Sequence, residues 1–432
     1  MEIKKKSASV LLFLIGFALL PVNNAPWFMS LNTIFRAPSE LFFLLSLIAY
    51  MLQLMLINTG KYKLHISKSQ FLFVGMLLSF VFISMIINIE YSGAITNSSA
   101  LYGLNRMFMS SLIWLKLLLF LLFFIHMINS IDLKLLTKYI VFGFRITTIY
   151  AFLEIIFYIL PSKLGYSVDT SFMLYLESFI HYNDHMPFLR IRGMAFEPSY
   201  LVPILVFILP FLILNKPKSK FNMDIIALLI ILWFAYSPTG LIAVSIFYIL
   251  YRFQGVKLFL TFILLLFIGF ILIIFVLNGI IVIPIEHMDS TAIRTGSWYS
   301  ALVAISQNPF FGVGPGMYGY WCVFNYPDYF WGTNVSDAFY FLGVDKFAGT
   351  PFASLLTVGL SFGLVPILAL LIYLYINKYF QYIWANNIVR ASFFSLIISS
   401  MGIDGYVLLV FWIYFAILLT KKITMADLNN EK

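Results

Sequence analysis

The sequence predicts an all-α, polytopic integral membrane protein, and three observations carry that expectation. Hydrophobic residues make up 62% of the 432 and charged residues only 10%, against about 45–50% and about 25% in soluble domains. Apolar runs recur along the chain, several exceeding the roughly 20 residues that cross a bilayer as helix. No succession of alternating segments punctuated by turns points to a membrane barrel.

The runs place about twelve transmembrane helices in a single membrane domain covering 1–432: 8–22, 38–57, 70–88, 107–128, 138–160, 196–214, 223–236, 240–252, 258–284, 351–377, 389–402 and 406–420. The first follows Lys4, Lys5 and Lys6 and lacks a small-residue cleavage site, so it reads as a retained helix rather than a signal peptide. The seventh and eighth are short and meet at Ser237-Pro238-Thr239-Gly240, a helix-breaking turn expected at or within the outer leaflet. One cysteine, Cys322, leaves no intrachain disulfide and no cysteine-based metal site. The chain shows no internal repeat and no soluble domain.

Alternating the sides from a cytoplasmic N-terminus sorts the basic residues. Eighteen of the 27 fall on the inside and seven outside, while Lys116 and Arg145 lie within spans. That is the bias of the positive-inside rule, so the net charge of +9 reflects orientation and anionic lipid rather than nucleic acid. The outer set is mostly arginine: Arg36, Arg106, Arg190, Arg192 and Arg294, with Lys163 and Lys346. Lysine suits generic anchoring and arginine suits directional contacts, which makes the outer face the expected working face.

Two long outer connections, about 161–195 and 285–350, are rich in Tyr, Trp, Phe, Asp and Asn. Aromatic faces stack on sugar rings while carboxylates and amides bind hydroxyls. Interfacial aromatic belts have a similar composition.

The most informative stretch is Arg190-Ile191-Arg192-Gly193-Met194-Ala195-Phe196-Glu197-Pro198-Ser199-Tyr200. Arg190 and Arg192 are two apart, so in an extended segment they share a face and can clamp a diphosphate. Snorkelling toward lipid headgroups is the structural alternative. Glu197-Pro198 reads as a helix start, since Pro fits the first position and an acid suits the positive end of the dipole. Glu197 could also orient or deprotonate an incoming hydroxyl.

Further along, Arg294-Thr295-Gly296-Ser297-Trp298 leads to Asn308-Pro309-Phe310-Phe311-Gly312-Val313-Gly314-Pro315-Gly316, whose glycines allow a tight turn near a ligand. It follows no strand and is not a nucleotide fingerprint. Lys116 and Glu154 are expected to pair, with Arg145 deeper, either bracing the bundle or lining a hydrated cavity. His181, Asp184 and His185 lack a further ligand set and are not expected to hold zinc. His287, near Asp289, is a minor candidate base, and Asp404 is read as a turn residue.

In these features the chain resembles the O-antigen polymerase and O-antigen ligase superfamily, the Wzy-type polymerases in particular. The resemblance is carried by Arg-Gly-Met-Ala-Phe-Glu197-Pro-Ser ahead of a span and Ser-Pro-Thr239-Gly240-Leu in a short span pair. Arg294, Trp298 and Asn-Pro-Phe-Phe-Gly312-Val-Gly314 come next, then a span with Gly359 and Gly363; the ordered set covers about residues 190–365.

The resemblance implies a metal-independent, cofactor-free glycosyltransferase in the bacterial inner membrane, with both termini cytoplasmic and a periplasmic active face. It would transfer the growing glycan from undecaprenyl diphosphate onto the non-reducing end of a new lipid-linked repeat unit. Its partners would be that lipid-linked oligosaccharide, membrane lipid and a chain-length-regulating polysaccharide copolymerase. Glu197, Arg192 and Arg294 are the implied catalytic residues, and Arg190, Tyr200, Trp298, Gly312 and Gly314 the implied substrate-binding ones. Ligases of the superfamily carry a His before the span after the large loop. Here that region reads Phe347-Ala348-Gly349-Thr350-Pro351-Phe352-Ala353-Ser354-Leu355, which favours the polymerase. A flippase for the same units is the alternative of another class, and it is expected to show repeats and a charged central path.

Overall fold

The computed structural model describes residues 7–22, 37–56, 64–94, 102–160, 164, 191, 193–194, 198–215, 222–235, 237–255, 285–317, 321, 325, 327, 354–400 and 409–423. Arg190, Arg192, Glu197, the His181–His185 cluster, Cys322, Asp404 and the ninth expected span lie outside them.

Local chemistry starts most of the helices. Ser7 caps α1 (Ala8–Ala18), and Ser67 and Gln70 form a capping box on α3 (Lys68–Ile87). Between them runs α2 (Pro38–Leu56), with Glu40 in its first turn. After the short α4 (Ile89–Ala94) and the long α5 (Tyr102–Ser130), Asp132 caps α6 (Leu133–Glu154). Residues Ile155–Ile159 continue α6 as a π-helical turn. The helix α7 (Pro198–Leu214) begins at the expected proline. Asn222 caps α8 (Met223–Phe234), and Ser237 caps α9 (Pro238–Arg252), with Pro238 at the first helical position.

The second long outer connection is not all loop, because it opens with helix α10 (Ile285–Gln307). Beyond it come α11 (Ser354–Phe362), α12 (Val365–Ile376), α13 (Tyr379–Ala385), α14 (Asn387–Ser399) and α15 (Leu409–Thr420). Among the described residues all regular structure is helical.

Among the described residues, four helices are long and apolar enough to cross a membrane (α2, α3, α5 and, with its π-turn, α6). A fifth span is counted only if α11 and α12 are taken as one, and they are bent by 118° at Phe362–Leu364. The expected straight helix over 351–377 is therefore corrected to a broken pair. Gly363 sits at the break with φ +78°, a left-handed conformation that ends a helix at low cost only for glycine. Six further apolar helices among the described residues have 10–17 residues.

At the centre stands α7. It is apolar all round, as a fully enclosed helix must be, and every residue from Leu201 to Leu212 is buried. Around it pack α6, α8, α9, α14 and α15. By contrast, α2 and α3 bury only 28% of their apolar windows and expose Met55, Leu56, Phe71, Leu72 and Ile86. Apolar exposure on that scale suits hydrocarbon rather than water.

Three of the basic residues assigned to the inside, Arg390, Lys421 and Lys422, meet helix ends at one end of this bundle. Lys422 Nζ donates to the carbonyls of Ile128 and Ile131 at the end of α5. Lys421 Nζ donates to the Asn377 carbonyl at 2.9 Å and lies 4.5 Å above the Tyr379 ring. Arg390 reaches the carbonyls of Leu250 and Phe253 at 2.7 and 3.1 Å. Cations thus satisfy the open carbonyl ends of α5, α9 and α12.

Candidate functional site

The opposite end of the bundle holds the polar features that the sequence singled out. They fall into two constructions.

The first is the turn after Arg190. Ile191 is fully buried, and its N–H donates to the Phe234 carbonyl at the end of α8 (3.1 Å). Gly193, at φ +57°, donates its N–H to the Glu154 carboxylate at 2.8 Å. Met194 packs with Leu19, Val22 and Leu41 at the facing ends of α1 and α2. The residues on either side of Arg192 in the chain are thus anchored to α8 and α6, just ahead of α7. On α7, Tyr200 is half-buried and packs against the main core.

Glu154 is not where the sequence led us to expect. Lys116 pairs instead with Glu40, at 2.7 Å, with side-chain exposures of 13% and 2%. The lysine on the middle of α5 meets a carboxylate in the first turn of α2, which sits deeper in the bundle than its position at a span's edge suggests. Arg145 is not the deeper charge either. Its side chain is 59% exposed and forms a two-pronged pair with Asp224 at the start of α8, at 3.1 and 2.9 Å. Both corrections have one cause: depth along a helix axis does not say which face a residue occupies.

The second construction is the loop Asn308–Met317 that comes after α10. Gly312, Gly314 and Gly316 have φ of +65°, +96° and +75°. The loop locks onto the break between α11 and α12 through backbone alone. Val313 N–H donates to the Leu360 carbonyl at 2.6 Å, and Leu364 N–H donates to the Pro309 carbonyl at 2.7 Å.

A Cβ on Gly312 would lie 2.2 Å from the Leu360 oxygen, and one on Gly363 2.3 Å from the Phe310 oxygen. The two stretches of backbone touch where only glycine fits. Ser84 and Asn88 at the end of α3 complete the joint. Ser84 Oγ donates to the Phe311 and Ser361 carbonyls at 2.9 and 2.7 Å, and Asn88 lies against Gly314.

Arg294 lies on α10, one turn before the half-buried Trp298. Below Trp298 the helix joins a small separate core of Met107, Ala301, Ala304, Ile305, Val313, Met317 and Leu360. Gly240 opens α9 against Val202 and Leu232, with its N–H on Ser237 Oγ at 3.3 Å.

Sequence reasoning missed Glu40, Ser84 and Asn88. Glu40 did carry a signal, since a lone carboxylate in the first turn of an apolar helix needs a partner. Ser84 and Asn88 carried none, because short polar residues at a helix end are ordinary. Among the described residues no group of three or more His, Cys, Asp or Glu could hold a metal ion.

Fold and site together define a helical bundle of membrane-spanning character, with a glycine-locked loop and an arginine-flanked turn at one end. Against known proteins, the chain matches no family model, and no curated sequence is significantly similar to it.

Proposed function

We propose that this chain is a polysaccharide polymerase of the O-antigen type, working on the outer face of the bacterial inner membrane. The observation that carries the reading is the turn around Arg192. Ile191 and Gly193 are hydrogen-bonded to α8 and α6 at 3.1 and 2.8 Å, so the chain on either side of Arg192 takes a fixed course. A planar guanidinium on such a support suits a diphosphate.

In the proposed reaction, a hydroxyl at the non-reducing end of the incoming repeat unit attacks the anomeric carbon of the growing glycan. The new C–O bond forms as the bond to the diphosphate oxygen breaks. Undecaprenyl diphosphate leaves with the electron pair, and the hydroxyl proton passes to Glu197 or to water. The diphosphate is already a good leaving group. Catalysis then consists of positioning the hydroxyl and neutralising developing charge, which Arg190, Arg192 and Arg294 would do. Trp298 and Tyr200 would face sugar, while Gly312 and Gly314, packed against Leu360 and Asn88, would hold the loop beside it. A copolymerase that sets chain length would be the protein partner.

The broken helix α11–α12 favours a second reading, since discontinuous spans mark the sites of transporters. Its weight is small here, because Val313, Leu364 and Ser84 engage the backbone at the break. A lipopolysaccharide gel separates the readings. A deletion strain is expected to show cores capped with one repeat unit, restored to a ladder by wild type and not by Arg192→Ala. An unchanged ladder in the deletion strain contradicts polymerisation of this polymer. A ligase would leave free lipid-linked polymer instead.

A further inference from the structure

Glu154, like Glu40, is a buried carboxylate of the bundle. It is 5% exposed, on a helix read as a span, where an ionisable side chain is costly and needs a purpose. Its carboxylate accepts the main-chain N–H of Gly193 at 2.8 Å. Immediately after it, α6 changes to a π-helical turn over Ile155–Ile159. Such turns insert a residue and re-aim the rest of the helix, often beside functional sites. Gly193 itself is left-handed, at φ +57°, and its Cα faces Thr147 of the same helix, which a Cβ would approach to 3.3 Å. The turn therefore rests on α6 at two levels, one steric and one charged.

We propose that Glu154 is a positioning residue for the turn at 193–194: through the Gly193 N–H it fixes the backbone that follows Arg192 in the chain, the residue read as a ligand for a lipid-linked diphosphate. The inference rests on the polymerase reading for the ligand, and on the Glu154–Gly193 contact for the positioning. It adds a residue 36 positions before Arg190 in the chain, on a different helix, to the machinery of the site.

The test uses the full chain in lipid nanodiscs and two substitutions of similar volume. Glu154→Gln keeps an oxygen that can accept the Gly193 N–H, and Glu154→Met does not. Amide exchange of the Ile191–Met194 segment is read alongside binding of farnesyl diphosphate and of farnesol, which lacks the diphosphate. The Gln variant is expected to stay within about threefold of wild type on both readings. The Met variant is expected to exchange at least about tenfold faster and to bind farnesyl diphosphate about tenfold more weakly, the range for losing one charge-assisted hydrogen bond. Its farnesol binding should not change.

Equal losses for both probes would make Glu154 a general brace and overturn the proposal. So would unchanged exchange in the Met variant. Should the Met variant not fold, wild-type protein decides: a Gly193 amide exchanging at the free-chain rate overturns the proposal, and a protected one supports it. If wild type takes the two probes equally, the polymerase reading fails, while the exchange contrast still decides whether Glu154 holds the turn.

Discussion

The loop at 308–317 and the turn at 191–194 sit at the same end of the bundle and are built in opposite ways. The loop is locked by backbone against backbone: Val313 on Leu360, Leu364 on Pro309, with glycines at the points of touch. The turn is held by side chains as well as backbone: the Glu154 carboxylate, the Phe234 carbonyl, the buried Ile191 and the packing of Met194. Backbone joints are insensitive to side-chain identity except where a Cβ intrudes, whereas the Glu154 clamp depends on one side-chain acceptor. We read the loop as scaffold and, under the proposed function, the turn as the substrate-facing part.

The strongest way to break this comparison is to add one methyl group to the joint. In Gly312→Ala and Gly363→Ala the new Cβ would stand 2.2 and 2.3 Å from carbonyl oxygens of the facing backbone, at positive φ. Neither neighbour is a side chain that can swing away. We expect a loss above about 4 kcal/mol, the range of exceptional single substitutions, seen as failure to recover monodisperse protein. Normal recovery of both variants would show that the loop is not locked.

Next in size is the charge pair beneath the turn. Glu40 is in the first turn of the helix whose Leu41, like Met194, packs against Val22. Lys116→Met removes the cation from a buried carboxylate and should cost about 3–5 kcal/mol in unfolding. The double variant Lys116→Met with Glu40→Leu should recover most of that loss. Equal instability of single and double variants would mean that the pair contributes packing rather than charge balance.

A smaller effect sharpens the scaffold side. Ser84→Ala removes a hydroxyl shared between the Phe311 and Ser361 carbonyls and should cost about 1 kcal/mol, read as a shift in thermal unfolding. At the bottom of the scale stands Arg145→Ala. Its pair with Asp224 is exposed at the arginine, so a change of about 1 kcal/mol or less is expected, with polymer unaffected. A loss of polymer in that variant would give the pair a role that its exposure does not suggest.

Much of the bundle was legible in the sequence because hydrophobic length and capping chemistry are local. The helix starts at Ser7, Ser67, Asp132, Asn222 and Asn386 use side chains that satisfy open N–H groups. Pro198 and Pro238 likewise mark first turns. The break at Phe362–Leu364 was hidden, since Gly363 within an apolar run also fits a continuous transmembrane helix. Its cause is the distant Asn308–Met317 loop, which pairs with the opened backbone.

Charge pairing was hidden for a related reason. Lys116, Glu154 and Arg145 could be ranked by depth, but Glu40 and Asp224 were needed as partners, and both lie at helix starts. Of the site, the sequence marked the arginine turn, the glycine loop and Glu154, the last with Lys116 as its expected partner, while Ser84 came into view only through its long-range contacts.

The most direct measurement is polymerisation by the purified full chain in liposomes containing lipid-linked repeat units, with and without EDTA. Wild type is expected to extend the glycan and release undecaprenyl diphosphate equally well in chelator, and Arg192→Ala to do neither. Extension by Arg192→Ala at the wild-type rate, or loss of wild-type extension in EDTA, would contradict a metal-free transfer that depends on the arginine turn.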